Sequence, residues 1–239
     1  MNTPKILICM TAAAGAWLMT APASAQQAAW PTHAITLVVP FAAGGGGDTL
    51  ARLVAEPLSR ELGQSIIVEN RPGAGGNIGT SIAARANPDG YTLSYGTNGT
   101  QATNHWLYKS PGYKPNDFEP ISRFTVIAAA LVVNGADERF KTLAQLVDYA
   151  KTHPGELTCG SAGNGTSSHL ACELLNQMAG LKVMHIPYKG GGAAMTDLMG
   201  GRISFLIDVM PNVSGQIAAG KLRALAVTCL LYTSDAADE

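Results

Sequence analysis

The sequence has 239 residues with 16 basic and 17 acidic side chains, which gives a formal net charge of −1. Only 14% of the residues are charged, below the ~25% usual for soluble domains, and 27 residues are glycine. This composition excludes a disordered chain, a coiled coil and a nucleic-acid-binding protein that relies on a basic surface.

Residues 1–25 have the pattern of a secretory signal peptide. Lys5 supplies a positive charge, residues 6–19 form an apolar run too short to span a bilayer, and Ala23-Ser24-Ala25 forms a small-residue cleavage pattern. The alternative is a buried N-terminal helix. We expect the mature protein to be exported.

The rest of the chain alternates predicted strands and helices. Strands are predicted at residues 35–39, 65–69, 91–95, 157–160, 183–186, 203–208 and 222–228, with an extended stretch at 121–133. Helices are predicted after Asp48, at 78–86, between Thr142 and Lys151, and at 166–179, 193–199 and 213–219. Thr142 and Gln145 have the spacing of a capping box.

The first predicted helix has Asp48 in the N-cap position and Gly63 at its end. One apolar stripe of helical spacing is formed by Leu50, Leu53, Val54, Pro57 and Leu58. Pro57 is expected to kink or disturb the middle of this helix.

Strand–helix alternation predicts an α/β fold with parallel sheets that are covered on both faces. Two such runs, separated by the extended stretch, predict two lobes with a cleft between them. Open sheets of this kind bind ligands at the carboxyl ends of their strands.

Two glycine-rich loops lie between a predicted strand and a predicted helix. The first, Gly44–Gly47, is neither a P-loop nor a dinucleotide-binding fingerprint, because the required Lys-Ser/Thr and third glycine are missing. The second, residues 160–169, is rich in glycine and hydroxyl groups. Bare N–H groups at a helix N-terminus favour an anion site, and an ordinary flexible loop is the alternative.

The second loop also permits a hydrolase hypothesis. Its nucleophile would be Ser161, Ser167 or Ser168, with His169 as the base and Asp197 or Asp208 as the orienting acid. The G-x-S-x-G motif is absent, because Cys159 stands where its first glycine would be. Helix capping explains the hydroxyl side chains without catalysis.

Cysteine and histidine patterns do not predict a metal site. Cys159 and Cys172 could form a disulfide, but small buried thiols are the favoured interpretation. No C-x-x-C pair exists, and the five histidines lack metal-ligand spacing. His185 is expected to be a structural hydrogen-bonding residue.

Several segments together resemble the Bug family of periplasmic solute receptors, which serve tripartite tricarboxylate transporters. The most specific are Glu69-Asn70-Arg71-Pro72-Gly73-Ala74-Gly75-Gly76 and His185-Ile186-Pro187-Tyr188-Lys189-Gly190, and the match runs from about Trp30 to Thr228. The resemblance implies a two-lobed flytrap that closes on a small carboxylate. It also implies a non-enzymatic, monomeric receptor without cofactor, metal or nucleic acid, whose partners are the ligand and the membrane components of the transporter.

Carried over by position, the resemblance places the first lobe at residues 26–124 and the second lobe at residues 125–228. The ligand-binding residues implied for the first lobe are Phe41, Ala42, Ala43, Gly44, Gly45, Asp48, Gly96, Thr97 and Asn98. Those implied for the second lobe are Ser161, Gly163, Asn164, Gly165, Thr166, His169 and Asp208. Asp208 would repel an anionic ligand unless it meets an amine or hydroxyl group.

The sequence departs from the family pattern at its C-terminus. Family members continue beyond the Leu222–Thr228 segment into the first lobe, whereas here residues 229–239 replace that continuation. We expect a non-native tail on a truncated first lobe, the alternative being a natural short variant. A ligand-presenting sensor would share the same pocket as a transport receptor.

Overall fold

The computed structural model of the protein describes residues 30–229. The predicted signal peptide and residues 230–239 of the predicted tail lie outside this range. None of the helices between Trp30 and Cys229 combines the length and the apolar character that crossing a membrane requires.

The first lobe contains a three-stranded parallel sheet. Its strands are β1 (Ile35–Val39), β2 (Ile66–Asn70) and β3 (Thr92–Ser94), in the order β2-β1-β3. Its helices are α1 (Gly46–Leu62), α2 (Asn77–Ala84) and the single-turn α3 (Asn104–Leu107), which follows a π-helical turn at Gly99–Thr103. Leu37, Val39, Ala51 and Tyr95 form the core of this lobe.

The second lobe contains a five-stranded mixed sheet in the order β6-β5-β7-β4-β8. The strands are β4 (Ala129–Asn134), β5 (Thr158–Ser161), β6 (Met184–Pro187), β7 (Phe205–Val209) and β8 (Leu222–Val227). The helices are α4 (Leu143–Thr152), α5 (Ser167–Ala179), α6 (Gly191–Met199) and α7 (Met210–Ala218). One apolar core packs α4 and α5 on this sheet, and a second packs α6 and α7.

The predicted α/β fold class with two lobes and mostly parallel strands is confirmed. The capping box is also confirmed, because Thr142 Oγ1 accepts a hydrogen bond from the Gln145 N–H (3.3 Å). Gly63 ends α1 in the left-handed conformation, with φ of 65°. Strand β4, however, is antiparallel to both neighbours, because the chain enters it from the first lobe and not through a helical crossover.

Three details of α1 were predicted wrongly. The helix begins at Gly46, so that Asp48 lies in its first turn and is not the N-cap. Ala51 and Ala55 are its buried apolar residues. Of the predicted stripe, Leu50 packs against the core of the lobe, whereas Leu53 is 64% exposed. Small alanine side chains permit close packing on the sheet. Pro57 is exposed and lies inside an uninterrupted helix, so its ring does not disturb that packing.

Two further expectations need correction. Of the stretch 121–133 that was expected to be extended, only the part from Ala129 onward pairs in a sheet, and residues 121–128 have no regular secondary structure. Cys159 and Cys172 form a disulfide with a Cα–Cα distance of 6.3 Å, so the favoured interpretation as free thiols is wrong. Cys159 lies on β5 and Cys172 on α5, and tertiary packing brings them together.

Candidate functional site

A cavity of about 90 Å³ lies between the two lobes, where several strands end. The segments that follow β1, β3, β5 and β6, together with the end of β7, contribute residues to its lining. Its lining consists of Phe41, Ala42, Gly45, Gly46, Gly47, Leu50, Tyr95, Thr97, Asn98, Ile127, Ala162, Thr166, Ser167, Ser168, Gly190, Gly191, Asp208 and Val209. This position agrees with the general rule for ligands in open α/β sheets.

Three helix N-termini converge on this cavity. For α1, α5 and α6, both the N-cap residue and the first helical residue belong to the lining: Gly45 and Gly46, Thr166 and Ser167, Gly190 and Gly191. First-turn N–H groups have no partner within their own helix, and the helix dipole makes this end positive. No Lys, Arg or His of residues 30–229 lines the cavity. The lining therefore offers an anion backbone N–H groups and helix dipoles instead of cationic side chains.

Glycine at these positions lets the lobes approach closely. A Cβ atom on Gly46 would lie 2.5 Å from Cγ2 of Val209, which belongs to the other lobe. Within the first lobe, a Cβ atom on Gly47 would lie 3.1 Å from the ring of Phe41, so this glycine also lets the helix start pack against the segment after β1. Gly46 and Gly47 thus have a packing reason in addition to their open N–H groups.

Among residues 30–229, Asp208 is the one acid that lines the cavity. It is buried at the end of β7, and its carboxylate accepts hydrogen bonds from the Val209 N–H (2.8 Å) and from the Asn212 side chain. Burial raises the pKa of Asp208 above its usual range, and these hydrogen bonds only partly oppose that shift. The group consequently has a stronger tendency to be protonated than an exposed aspartate has.

Asp48 lies directly behind the first glycine loop and holds it in shape. Its carboxylate accepts hydrogen bonds from the Gly44 N–H (2.9 Å), Arg52 Nε (3.1 Å) and Asn70 Nδ2 (3.0 Å). Burial by itself would raise the pKa of Asp48, but these bonds and the Arg52 charge lower it overall. Asn70 also donates to the Phe41 carbonyl (3.1 Å), so the end of β2 is tied to the same loop.

The second glycine loop is held by its own side chains. Ser161 is fully buried, and its Oγ accepts a hydrogen bond from the Gly163 N–H (3.1 Å) and lies 2.6 Å from His185 Nε2. Thr166 Oγ1 donates to the Gly163 carbonyl (2.6 Å). His169 Nδ1 accepts a hydrogen bond from the Gly165 N–H (3.1 Å). Burial and the neighbouring His169 lower the pKa of His185.

The tip of this second loop contacts the first lobe instead of the cavity. The Tyr108 hydroxyl donates to the Asn164 carbonyl (3.0 Å), and a Cβ atom on Gly75 would collide with that carbonyl. Similarly, a Cβ atom on Gly99 would lie 2.9 Å from the Gly165 carbonyl. The two lobes therefore meet through backbone surfaces that only glycine leaves free.

Seven of the predicted ligand-binding residues line the cavity and nine lie outside its lining. The seven are Phe41, Ala42, Gly45, Thr97, Asn98, Thr166 and Asp208. The nine are Ala43, Gly44, Asp48, Gly96, Ser161, Gly163, Asn164, Gly165 and His169, of which Asp48, Ser161 and His169 hold the loops described above. Sequence reasoning missed Gly190 and Gly191, although the Gly190–Gly192 run between a strand and a helix repeats the pattern of the first loop.

The structure does not bring the residues of the hydrolase hypothesis together as a serine–histidine–aspartate relay. Ser161 is fully buried and contacts His185 and not His169. Ser168 Oγ accepts a hydrogen bond from the Ala162 N–H (3.0 Å), and neither Ser167 nor Ser168 bonds to a histidine through its side chain. Asp197 bonds to Tyr188 and Arg202, and Asp208 bonds to Asn212. Neither acid forms a hydrogen bond with a histidine, so no serine–histidine–aspartate relay is formed by these residues.

Comparison with known proteins identifies the family of this chain. Residues 50–231 match the family model described as the tripartite tricarboxylate transporter family receptor, TctC. The chain belongs to this receptor family. It is 42% identical over 229 residues to a UPF0065 protein from the ttuE-ttuC′ intergenic region of Agrobacterium vitis, covering 95% of this chain and 64% of that protein. It is 37% identical over 231 residues to BugT of Bordetella pertussis, covering 95% of this chain and 69% of BugT.

Solved structures of family members have the same fold. Rpa4515 of R. palustris, solved with adipate, is 40% identical with a TM-score of 0.81, covering 84% of this chain and 67% of that one. MatC of Rhodopseudomonas palustris, solved with bound malate, is 33% identical with a TM-score of 0.78, covering 84% of this chain and 68% of that one. The chain, which is a member of this family, spans between 60% and 65% of the length of three curated relatives that it matches.

Proposed function

We propose that this chain is the ligand-binding part of a periplasmic receptor for small organic carboxylates, which it delivers to a tripartite tricarboxylate transporter. The observation that carries this proposal is the convergence of three helix N-termini on a cavity that is lined by no Lys, Arg or His of the described residues. Each N-terminus is equivalent to roughly half a positive charge and offers unpartnered N–H donors. Such a site recognises a carboxylate by its charge and its acceptor geometry.

The composition of the lining limits the ligand. Phe41, Leu50, Tyr95 and Ile127 supply an apolar surface, and the N–H groups supply the polar contacts. A short carbon chain with a terminal carboxylate satisfies both. The adipate and malate bound by the two relatives have this chemistry. We infer that this chain takes a ligand of the same class.

The wider role follows from family membership and is part of the proposal. The receptor would work outside the cytoplasm as a monomer, and its partners would be the membrane components of the transporter. Residues 26–124 and 125–228 would act as the two lobes that close on the ligand. We infer a binding role without catalysis, which is supported by the lack of a hydrogen bond between either Asp197 or Asp208 and a histidine among the described residues.

Ligand-induced stabilisation tests the proposal. The protein is melted alone and with succinate, malate, adipate or citrate, and with an activated ester in a separate turnover assay. We expect at least one carboxylate to raise the melting temperature in a concentration-dependent manner, because a ligand that binds only the folded state stabilises it. Ester turnover without any carboxylate stabilisation would overturn the proposal in favour of a hydrolase.

A further inference from the structure

Three side chains with metal-ligand chemistry meet outside the carboxylate cavity. His169 and Glu173 lie one turn apart on α5, and His185 lies on the neighbouring strand β6. One donor atom from each of the three lies within 4.8 Å of the other two. The centroids of the two imidazole rings are 4.2 Å apart. None of these residues lines the cavity.

The scaffold holds these three side chains together by covalent and hydrogen-bonded links. Cys172 precedes Glu173 on α5 and forms the disulfide with Cys159 on β5. Cys159 is in turn paired with His185 in the register of β5 and β6. The helix that bears two of the donors is therefore tied to the strand pair that bears the third. Preorganisation of this kind removes much of the ordering cost of binding an ion.

The donor set favours a transition metal ion. Two imidazoles and one carboxylate form a set used for Zn²⁺, and softer nitrogen donors disfavour Ca²⁺ and Mg²⁺, which prefer oxygen. His185 Nε2 contacts Ser161 Oγ at 2.6 Å, which leaves its Nδ1 for an ion. Bonding of the second ring nitrogen to a neighbouring group is typical of metal-binding histidines. Glu173 is exposed, so that an ion can enter from solvent.

We propose that His169, Glu173 and His185 bind a divalent ion of the zinc class. In the structure, His169 Nδ1 accepts a hydrogen bond from the Gly165 N–H. An ion bound to Nδ1 would replace that bond, and an ion bound to Nε2 would leave the ring proton on Nδ1, where it opposes the Gly165 N–H. The ion therefore competes with a contact that shapes the second glycine loop. The proposal does not depend on carboxylate binding, and metal binding is measured with no carboxylate present.

Titration calorimetry with zinc chloride tests this site. The protein is produced without a polyhistidine tag, and Co²⁺ is used in parallel because its visible absorption reports tetrahedral coordination. We expect one ion per chain, and at least a tenfold loss of Zn²⁺ affinity in His169→Asn, His185→Asn and Glu173→Gln. Mg²⁺ and Ca²⁺ should not compete with Zn²⁺ at equal concentration.

The matched control is His153→Asn. His153 is an exposed histidine that follows α4 and stacks on Tyr149, 4.1 Å between ring centroids, and it lies outside the cluster. This variant should bind Zn²⁺ as the parent protein does. Glu173→Gln changes an exposed side chain and keeps the proposal testable if a histidine variant fails to fold. Absence of 1:1 binding by the parent protein, or unchanged affinity in Glu173→Gln and the folded histidine variants, would overturn the proposal.

Discussion

The hydroxyl group of Tyr108 donates a hydrogen bond to the backbone carbonyl of Asn164, with 3.0 Å between the two oxygens. Tyr108 directly follows α3 in the first lobe, and Asn164 lies in the second glycine loop of the other lobe. This bond therefore joins the lobes outside the cavity lining. Movement of the lobes away from each other would break this hydrogen bond, so the bond favours the closed arrangement.

Tyr108→Phe removes this bond and leaves the ring in place. A net hydrogen bond contributes about 0.5–1.5 kcal/mol, so we expect carboxylate affinity to fall by about two- to tenfold. The affinity is measured by titration calorimetry. Tyr149→Phe is the control, because its hydroxyl bonds to Glu156 within the second lobe (3.0 Å). Equal losses in both variants would mean that the Tyr108 bond has no special role in closure.

Gly75→Ala places a methyl group against the Asn164 carbonyl. Gly75 has φ of 63°, and a Cβ atom there would collide with that carbonyl oxygen. Gly63→Ala is a matched control, because Gly63 has φ of 65° and nothing within 4 Å of an added Cβ atom. The two variants share the backbone strain, and only Gly75→Ala obstructs the contact between lobes. We expect Gly75→Ala to lose at least about tenfold in ligand affinity relative to Gly63→Ala, which corresponds to about 1.4 kcal/mol.

Asp208→Asn should remove a pH dependence of stability. Because burial raises the pKa of Asp208, its folded-state stabilisation is present below the unfolded pKa and is lost as pH rises through the folded value. Melting temperatures from about pH 4 to about pH 8 should therefore decline less in Asp208→Asn than in the parent. At the upper pH, adipate should bind at least about threefold tighter to the variant, or ~0.7 kcal/mol, because a charge repulsion is gone. A parallel decline in both proteins would show that Asp208 does not titrate in this range.

Asp48→Asn should weaken the first glycine loop and remove a pH dependence of stability whose sign is opposite to that of Asp208. The hydrogen bonds to Asp48 lower its pKa overall, so its stabilisation is present above the usual value of 3.8 and is lost as pH falls through the folded value. At neutral pH we expect a loss of about 1–3 kcal/mol in the free energy of unfolding, measured with urea. Glu56→Gln is the control, because Glu56 and Arg60 form an exposed pair on the same helix. Equal stabilities of Asp48→Asn and Glu56→Gln would contradict a structural role for the Asp48 network.

The order of strands and helices was predictable because each element has a local signal. Three of these signals each act within a few residues: the run rich in β-branched residues at Ile35–Val39, the capping box at Thr142 and the terminal glycine Gly63. The orientation of α1 was not predictable in this way. Leu53 fits an apolar stripe, yet packing on the sheet is decided by the small volumes of Ala51 and Ala55.

The type of site, glycine loops at helix N-termini, was predictable from the sequence, whereas its residues were only partly predictable. Glycine loops between strands and helices indicated Gly45 and Thr166, because an open N–H group at a helix start is a local property. The position of Gly163–Gly165 against the first lobe depends on how the two lobes meet. The spacing of residues in the sequence does not reveal that contact. His169 and His185 are similarly far apart in sequence, and the disulfide-linked packing of α5 on β5 brings them together.

Calorimetric comparison of dicarboxylates with their uncharged diamides tests carboxylate recognition by the backbone most directly. Succinate, malate and adipate are titrated at low salt and neutral pH, each beside the diamide of the same carbon skeleton. Hydrogen bonds to charged groups contribute about 1.5–3 kcal/mol, so we expect the best dicarboxylate to bind about 100-fold tighter than its diamide, ~2.7 kcal/mol. Equal affinities for that acid and its diamide, or no binding of any dicarboxylate, would contradict the account.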